Sequence, residues 1–306
     1  MARSRLGRNL AVISIVFLGA GLSATRTGTA RSAEVPPPDT LKTVDELMLP
    51  ELLWNRIDLV LTNRVHDGLV EYEGLSGDGP FHEAYGTLTS VTWDELDSWT
   101  RDDQLAFWIN VYNICTLKLI ADHYPIRARF PHSIVLPDNS ILMIPGRWKE
   151  ITFPIAGAER TLDEIEHRIL RARFDEPRIH FAIVCASIGC PVLRSEAFRG
   201  SHLDHQLEEQ ARRYFARPTG LTADLSDSRP NLKLTKILDW FGEDFIDLPP
   251  DSTVLEVQDG DRGRLLASIA HWLPPETVDL LRERPVRTGW LDYDWELNEW
   301  VPPEPD

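Results

Sequence analysis

Two of the three cysteines of the chain lie close together, and a histidine precedes them. Cys185 and Cys190 fall within residues 178–194, and His180 comes five positions before Cys185. Residues 179–184 are apolar and rich in β-branched side chains, and serine, glycine and proline follow among the next residues. This pattern is typical of a buried strand that ends in a turn. We therefore predict a strand that opens into a loop carrying two thiols.

One chemistry that fits this loop is nucleophilic catalysis by a thiolate. Cys185 is the candidate nucleophile, because the partial positive charge at the start of a helix predicted at 195–215 would lower the pKa of its thiol. Such a thiolate needs a base, and often an amide side chain that orients the base. In a regular strand His180 and Cys185 face opposite sides, so His180 is poorly placed as that base. The alternative bases are His123, His167 and His205.

Candidate amides lie on a helix predicted from Thr100 to just before Pro125. Thr100 and Asp103 have the spacing of a capping box, and apolar residues cover most of the helix surface, which predicts a buried helix. Asn110 and Asn113 lie three residues apart on it, and burying two amides costs several kcal/mol unless they are hydrogen-bonded. They either fasten irregular main chain nearby or orient a catalytic group or a substrate carbonyl.

The same thiols also fit a second chemistry, a Cys185–Cys190 disulfide. Closing so small a loop stabilises the fold by roughly 2 kcal/mol, which leaves room for a structural or a redox role. The spacing is not the Cys-x-x-Cys of thioredoxin-like oxidoreductases. Cys115 lies on the apolar stripe of its helix and is predicted to be a core thiol. A structural pair and a catalytic thiol both remain open at this point.

A metal site is the third chemistry, and it is the least favoured. The two thiolates and His180 would give zinc three ligands, but no second group with ligand spacing is visible. The aspartate spacing of an EF-hand is absent as well. We expect neither a metal nor another cofactor.

A further candidate, Glu166, lies on a helix predicted at 162–173. The helix begins with a capping box at Thr161. Glu166 and His167 are adjacent in sequence, so they are predicted to face different directions. We expect Glu166 to form a buried ion pair with Arg178 that holds the strand to this helix.

The remaining elements fit an α+β protein, because helices and strands follow each other without a regular βαβ rhythm. We predict one mostly helical domain with a small, largely antiparallel sheet. Further helices are expected at 43–66 (one or two), 237–245, 263–273 and 275–283, strands at 69–72 and 232–234, a hairpin from 134–136 and 141–144, and an extended tail at 286–297 that closes over the core.

The first thirty residues resemble a signal peptide. Three arginines precede an apolar run at 10–22, and residues 28–30 are small, as at a cleavage site. The run is shorter than the roughly 20 residues that cross a bilayer, so no stable membrane insertion is expected after cleavage. We predict a periplasmic or secreted protein whose mature chain has a Pro-rich spacer at 31–42 and one domain at 43–300.

The net charge of the chain excludes one class of partner. The formal charge is −16, and removal of residues 1–30, which contain four arginines and no carboxylate, leaves −20. Nucleic acid is excluded as a partner on this ground. The expected partner is a small molecule or a peptide.

Several segments in order resemble the DUF547 family, a group of bacterial and plant domains of unknown function. They are residues 104–113, 162–171, 177–185 with Cys190 and Pro191, 234–241 with 244–245, and 292–298. The resemblance covers about residues 50 to 300 and implies one domain. It includes His180, which therefore stays a site candidate, but it brings no settled activity.

Taken together, the sequence predicts an exported, thiol-dependent hydrolase or acyl transferase acting on an amide or ester bond. The candidate catalytic residues are Cys185, His180, Asn110, Asn113 and Glu166. The alternative is a non-catalytic binding or scaffold protein in which Cys185 and Cys190 form a disulfide. A solvent-open cleft that contains Cys185, an imidazole within hydrogen-bond reach and Asn110 or Asn113 favours the enzyme, and a buried bridge with no cleft favours the alternative.

Overall fold

A long buried helix lies at the centre of the fold. The computed structural model describes residues 44–127, 137, 139–226 and 229–303. Helix α4 runs Arg101–His123, close to its predicted bounds. The Thr100 hydroxyl caps it by accepting a hydrogen bond of 3.1 Å from the Asp103 N–H. Most α4 residues between Leu105 and Ala121 are buried, because the helix is apolar on nearly every side.

The other described helices surround α4 or follow it. They are α1 Val44–Arg64, α2 Gly79–Ser90, α3 Trp93–Ser98, α5 Leu162–Glu164, α6 Arg171–Arg173, α7 Leu203–Phe215, α8 Lys236–Phe241, α9 Ser252–Leu255, α10 Gly260–Ile269 and α11 Pro275–Glu283. A π-helical turn, Ile165–Leu170, joins α5 to α6, so the predicted helix at 162–173 is continuous. Its capping box at Thr161 is present. Helices α2 and α3 were not predicted from the sequence.

The described strands form three small, separate sheets. Strands β1 Val65–His66 and β2 Leu69–Val70 make one antiparallel pair, and β3 Thr152–Ile155 and β4 Ala158–Thr161 make another. In the third sheet, β6 Asn231–Leu234 pairs antiparallel with β5 Leu221–Asp224 and parallel with β7 Arg287–Trp290. The predicted class, a mostly helical α+β fold with a small, largely antiparallel sheet, is confirmed.

The predicted hairpin at 134–144 is not supported. Residues 134–136 lie outside the described residues, and Ile141–Met143 form a 3₁₀ turn instead of a strand. Hairpins occur instead at two-residue turns with positive φ, Asp67-Gly68 and Ala156-Gly157. Turns of this type match the twist of paired strands, and Asp-Gly is a common sequence for them.

The predicted strand at 179–184 is wrong. Pro177–Phe181 form a 3₁₀ turn, and irregular main chain follows. The run is apolar because it packs in the core. Its polar groups bond within the run or to a side chain instead of to a neighbouring strand. The N–H groups of residues 182 and 183 donate to the Ile179 carbonyl, Asn113 Nδ2 donates to the Ala182 carbonyl at 3.0 Å, and the Val184 N–H donates to Asn113 Oδ1 at 2.9 Å.

The predicted helix at 195–215 begins later than expected. A 3₁₀ turn, Gly200–His202, precedes α7, which starts at Leu203. Before α7 begins, side chains supply the hydrogen-bond partners of the main-chain groups. The Phe198 N–H donates to Asn110 Oδ1 at 3.0 Å, and the Ala197 N–H donates to Asp58. The helix start that was expected beside Cys185 is therefore not there.

The described residues bury two apolar clusters. The larger one surrounds α4, and the smaller one lies among α7, the β5–β7 sheet and helices α8 to α11. Thr43–Asp306 form one compact unit. Among the described helices, none combines the length and apolar character that a membrane-spanning segment requires.

Candidate functional site

A cavity of about 240 Å³ contains the two thiols. Six aromatic side chains line it: Tyr112, Trp148, Trp240, Phe241, Tyr293 and Trp295. The ionisable groups on its walls are Cys185, Cys190, His167, His180, Glu166, Asp163 and Lys149. Small-ligand sites are commonly apolar hollows with a few converging polar groups, and this cavity has that composition.

The sulfur of Cys185 has three hydrogen-bonding neighbours. Cys190 Sγ is 2.9 Å from it, and the hydroxyls of Ser187 and Tyr293 are each 3.1 Å away. Each of these groups carries a proton that it can donate. Cys185 is partly exposed and Cys190 is buried, and both are free thiols. The disulfide predicted as an alternative is thus unformed, although the sulfurs are close.

These contacts give the two thiols different acidities. The hydrogen bond from Cys190, aided by Ser187 and Tyr293, lowers the pKa of the Cys185 thiol, although burial opposes it. Burial raises the pKa of the Cys190 thiol well above its usual value. Hydrogen bonds to a charged form favour that form, so Cys185 is the more acidic thiol of the pair.

Residues 185–190 form a loop, named here the cysteine loop, which other parts of the chain hold in place. Ala186 has a φ of 57° in the left-handed region, which is uncommon for a residue with a side chain and often occurs at functional sites. The C-terminal tail bonds the loop from outside, since the Ile188 N–H donates to the Glu296 carbonyl at 2.8 Å. Gly189 is needed there, because a Cβ would lie 2.9 Å from the Asp294 nitrogen.

His180 is buried on the cavity wall and is held on two sides. Its Nε2 is 2.7 Å from Asp244 Oδ2, and its ring stacks on Phe241 with centroids 4.2 Å apart. Arg171 donates two hydrogen bonds of 2.7 Å to the Asp244 carboxylate. The hydrogen bonds from His180 and Arg171 hold the pKa of Asp244 well below its usual range. Asp244 is therefore an ionised carboxylate, and its hydrogen bond fixes the orientation of the His180 ring.

The objection that His180 and Cys185 face opposite sides does not hold, because it assumed a strand. Both residues line the same cavity. No hydrogen bond joins them, however. In the described part of the chain, no imidazole hydrogen-bonds to the Cys185 sulfur. Of the alternative bases, His167 lines the cavity, whereas His205 lines another hollow and His123 bonds to the Leu119 carbonyl.

Two expectations about Glu166 are wrong. Glu166 and His167 line the same cavity, and the π-helical turn that contains them changes the spacing of side chains around the helix. Glu166 accepts a hydrogen bond of 3.1 Å from the Tyr112 hydroxyl. Arg178 pairs instead with Glu176 and Asp204, at 2.7 and 2.8 Å. The predicted Glu166–Arg178 ion pair is absent because nearer carboxylates take the guanidinium.

The two asparagines of α4 fasten main chain. Asn113 bonds residues 182 and 184, directly before Cys185, as described above. Asn110 Nδ2 donates to the Phe198 carbonyl at 2.8 Å, and its Oδ1 accepts from the Phe198 N–H. Asn113 is a positioning residue for the cysteine loop, whereas Asn110 anchors the segment before α7. Direct participation of either amide in catalysis stays a prediction.

Four side chains of the site were not predicted as site residues from the sequence: Ser187, Tyr293, Asp244 and Arg171. Tyr293 and Asp244 come from parts of the chain more than fifty residues beyond the cysteines. The only signal for them was that both lie in segments that resembled the family. Among the described residues, no group of three or more His, Cys, Asp and Glu side chains is arranged to hold a metal ion.

Fold and site together define a mostly helical α+β protein with a thiol-containing, aromatic cavity. Residues 96–215 match the family model described as "Protein of unknown function, DUF547", which supports the resemblance seen in the sequence. The match covers α4, the π-helical turn, the cysteine loop and α7. Asp244, Tyr293 and the tryptophans at 240 and 295 lie beyond it. No curated protein and no solved structure matches the chain.

Proposed function

We propose that the protein is a thiol-dependent hydrolase or acyl transferase in which Cys185 attacks an amide or ester carbonyl. The observation that carries the proposal is the set of donors around the Cys185 sulfur in an aromatic cavity: Cys190, Ser187 and Tyr293. They favour the thiolate, which is the form that attacks carbon. The buried His180–Asp244 pair on the same wall supplies an oriented imidazole.

In the proposed reaction the Cys185 sulfur bonds to the carbonyl carbon, and the C–N or C–O bond of the substrate breaks. The proton that the Cys185 thiol gives up passes through Nδ1 of His180, whose Nε2 is held by Asp244, to the leaving amine or alcohol. Water then attacks the thioester carbon and gives one proton back through His180 to the sulfur, which releases the acid and restores the thiol; another nucleophile in place of water gives transfer. The Cys185 N–H donates to the Cys190 sulfur at 2.9 Å, so the hydroxyl of Tyr293 is the donor assigned to the oxyanion.

A second candidate function uses both thiols. The Cys185 and Cys190 sulfurs are 2.9 Å apart, and one of them has a lowered pKa. A thiolate beside a second thiol is the arrangement of redox-active pairs. In this function the pair passes two electrons and two protons to a disulfide substrate and becomes a disulfide itself.

The test is trapping of an acyl group on Cys185. Reduced protein is mixed with p-nitrophenyl esters and p-nitroanilides, and the product burst and the acylated peptide are measured by absorbance and mass spectrometry. We expect about one equivalent of product in the burst and an adduct on Cys185. Cys185→Ser abolishes both, and Cys115→Ala is the matched control that keeps them.

Two further variants separate the candidates. Cys190→Ser slows acylation of Cys185 but does not abolish it if the function is hydrolysis, because the serine hydroxyl replaces the Cys190 thiol as a donor, whereas a redox function needs both thiols. Asp244→Asn is expected to lower kcat at least about tenfold with little change in KM, because His180 loses its orienting carboxylate. An adduct on any residue other than Cys185 would contradict the proposal.

We also propose that the protein is exported, on the basis of the charge and apolar run of residues 1–30. N-terminal sequencing of protein recovered from outside the cytoplasm tests this. A mature chain that begins near residue 31 is expected, and an intact N-terminus would contradict it.

A further inference from the structure

Two carboxylates line the thiol cavity, and their surroundings differ. Asp163 Oδ1 is 3.7 Å from Lys149 Nζ and 3.8 Å from His167 Nε2, so it has basic neighbours. Within the described ranges, no Lys, Arg or His nitrogen lies within 4.0 Å of Glu166. Its hydrogen-bond partner is the neutral Tyr112 hydroxyl. Glu166 therefore brings a negative charge to the cavity wall that no neighbouring cation balances.

Four aromatic rings on the same cavity form a continuous group, defined here as the aromatic cluster: Trp148, Trp240, Tyr293 and Trp295. Tyr293 and Trp295 have centroids 4.5 Å apart, and Trp240 and Trp148 each lie 6.0 Å from Trp295. Trp240 is 44% exposed, although large apolar side chains are usually covered. An aromatic surface that is left open inside a cavity indicates a ligand.

We propose that this cavity binds an ammonium group, with Glu166 as its counter-ion and the aromatic cluster as its walls. The face of an aromatic ring attracts a cation, and the attraction is strongest for tryptophan. Trp148 already makes such a contact, since the Arg147 guanidinium lies 4.2 Å from its ring centroid. The ammonium group of the ligand would contact the other three rings of the aromatic cluster and the Glu166 carboxylate.

The charge distribution favours a cation over a neutral ligand. A sugar or a neutral aromatic molecule would also stack on the rings, but it would leave the charge of Glu166 unbalanced. The volume of about 240 Å³ suits a small molecule or one end of a larger one. If the proposed function holds, on which this step rests, the substrate is an amide or ester that carries an ammonium group.

The test is a binding measurement that needs no catalysis. Cys185→Ser protein is titrated with choline and with its uncharged isostere 3,3-dimethylbutan-1-ol, and binding is measured by calorimetry and tryptophan fluorescence. We expect choline to bind at least about tenfold more tightly than the isostere. Adding Glu166→Gln should weaken choline about tenfold and leave the isostere unchanged. Asp163→Asn is the matched control, because Asp163 already has cationic neighbours, and it should change choline binding by less than about threefold.

The outcomes separate this inference from the proposed function. Equal binding of choline and the isostere, or tighter binding of glucose than of choline, overturns it. So does a Glu166→Gln variant that is folded by circular dichroism and binds choline normally. If choline binds as expected but no ester acylates Cys185, the ammonium site stands and the enzyme proposal fails. If neutral and cationic esters acylate Cys185 equally, the enzyme proposal stands and the ammonium site fails.

Discussion

Cys115 and Cys185 are thiols of the same protein in opposite surroundings. Cys115 lies inside α4, is fully buried among apolar side chains, and burial raises the pKa of its thiol far above the usual value. Cys185 lies in irregular main chain at a cavity, where hydrogen bonds lower the pKa of its thiol. The comparison teaches that regular secondary structure leaves a thiol no donors. A loop whose main-chain groups are hydrogen-bonded to other parts of the protein can place several donors around a thiol.

The largest expected effect is the difference in reactivity between these thiols. In the reduced protein at pH 7, iodoacetamide should label Cys185 at least about 1,000-fold faster than Cys115, because only the thiolate reacts and its fraction changes tenfold per pKa unit. The labelling rate of Cys185 should level off below pH 8.5. Peptide mass spectrometry over pH 5 to 10 measures both rates. In urea the two rates should converge, and equal rates in the native protein would break the comparison.

The two α4 asparagines sharpen the comparison. Asn113→Ala and Asn110→Ala each leave one buried N–H and one buried carbonyl without their partner, so each should lower the free energy of unfolding by about 2 to 3 kcal/mol. Urea denaturation measures this. The two variants should differ in the labelling rate of Cys185. Asn113→Ala frees the main chain next to Cys185 and should slow its labelling, whereas Asn110→Ala should leave the labelling rate of Cys185 unchanged. A change in labelling of the same size in both variants would contradict the positioning role.

The smallest expected effect concerns a single donor to the thiolate. Tyr293→Phe removes the hydroxyl that lies 3.1 Å from the Cys185 sulfur. Losing a donor destabilises the thiolate, so the pKa of Cys185 should rise. Labelling at pH 7 should then fall, by up to about tenfold for each unit of that rise, and stay unchanged at pH 10, where the thiol is ionised in both proteins. Tyr85→Phe is the control, because Tyr85 lies on α2, outside the cavity lining. An unchanged labelling profile in Tyr293→Phe would remove Tyr293 from the site.

Local sequence signals predicted much of the fold. The cap at Thr100 and the capping box at Thr161 located two helices, because capping depends on residues three positions apart. The same signal at Thr92, which starts α3, was overlooked. Asp67-Gly68 was a readable hairpin signal and was also missed. The strand predicted at 179–184 failed for a different reason, since an apolar, β-branched run fits any buried main chain.

The sequence by itself determined the helices, the burial of α4 and the place of the thiols, because these depend on residues that are neighbours along the chain. Only the tertiary structure decided which side chains surround Cys185. Tyr293, which contacts the Cys185 sulfur, lies 108 positions from Cys185 in the sequence. Asp244, which contacts His180, lies 64 positions from His180. Contacts across such separations depend on how the two apolar clusters pack and how the tail crosses the cysteine loop. No local periodicity or spacing encodes that arrangement, so the acidity of Cys185 follows from the fold.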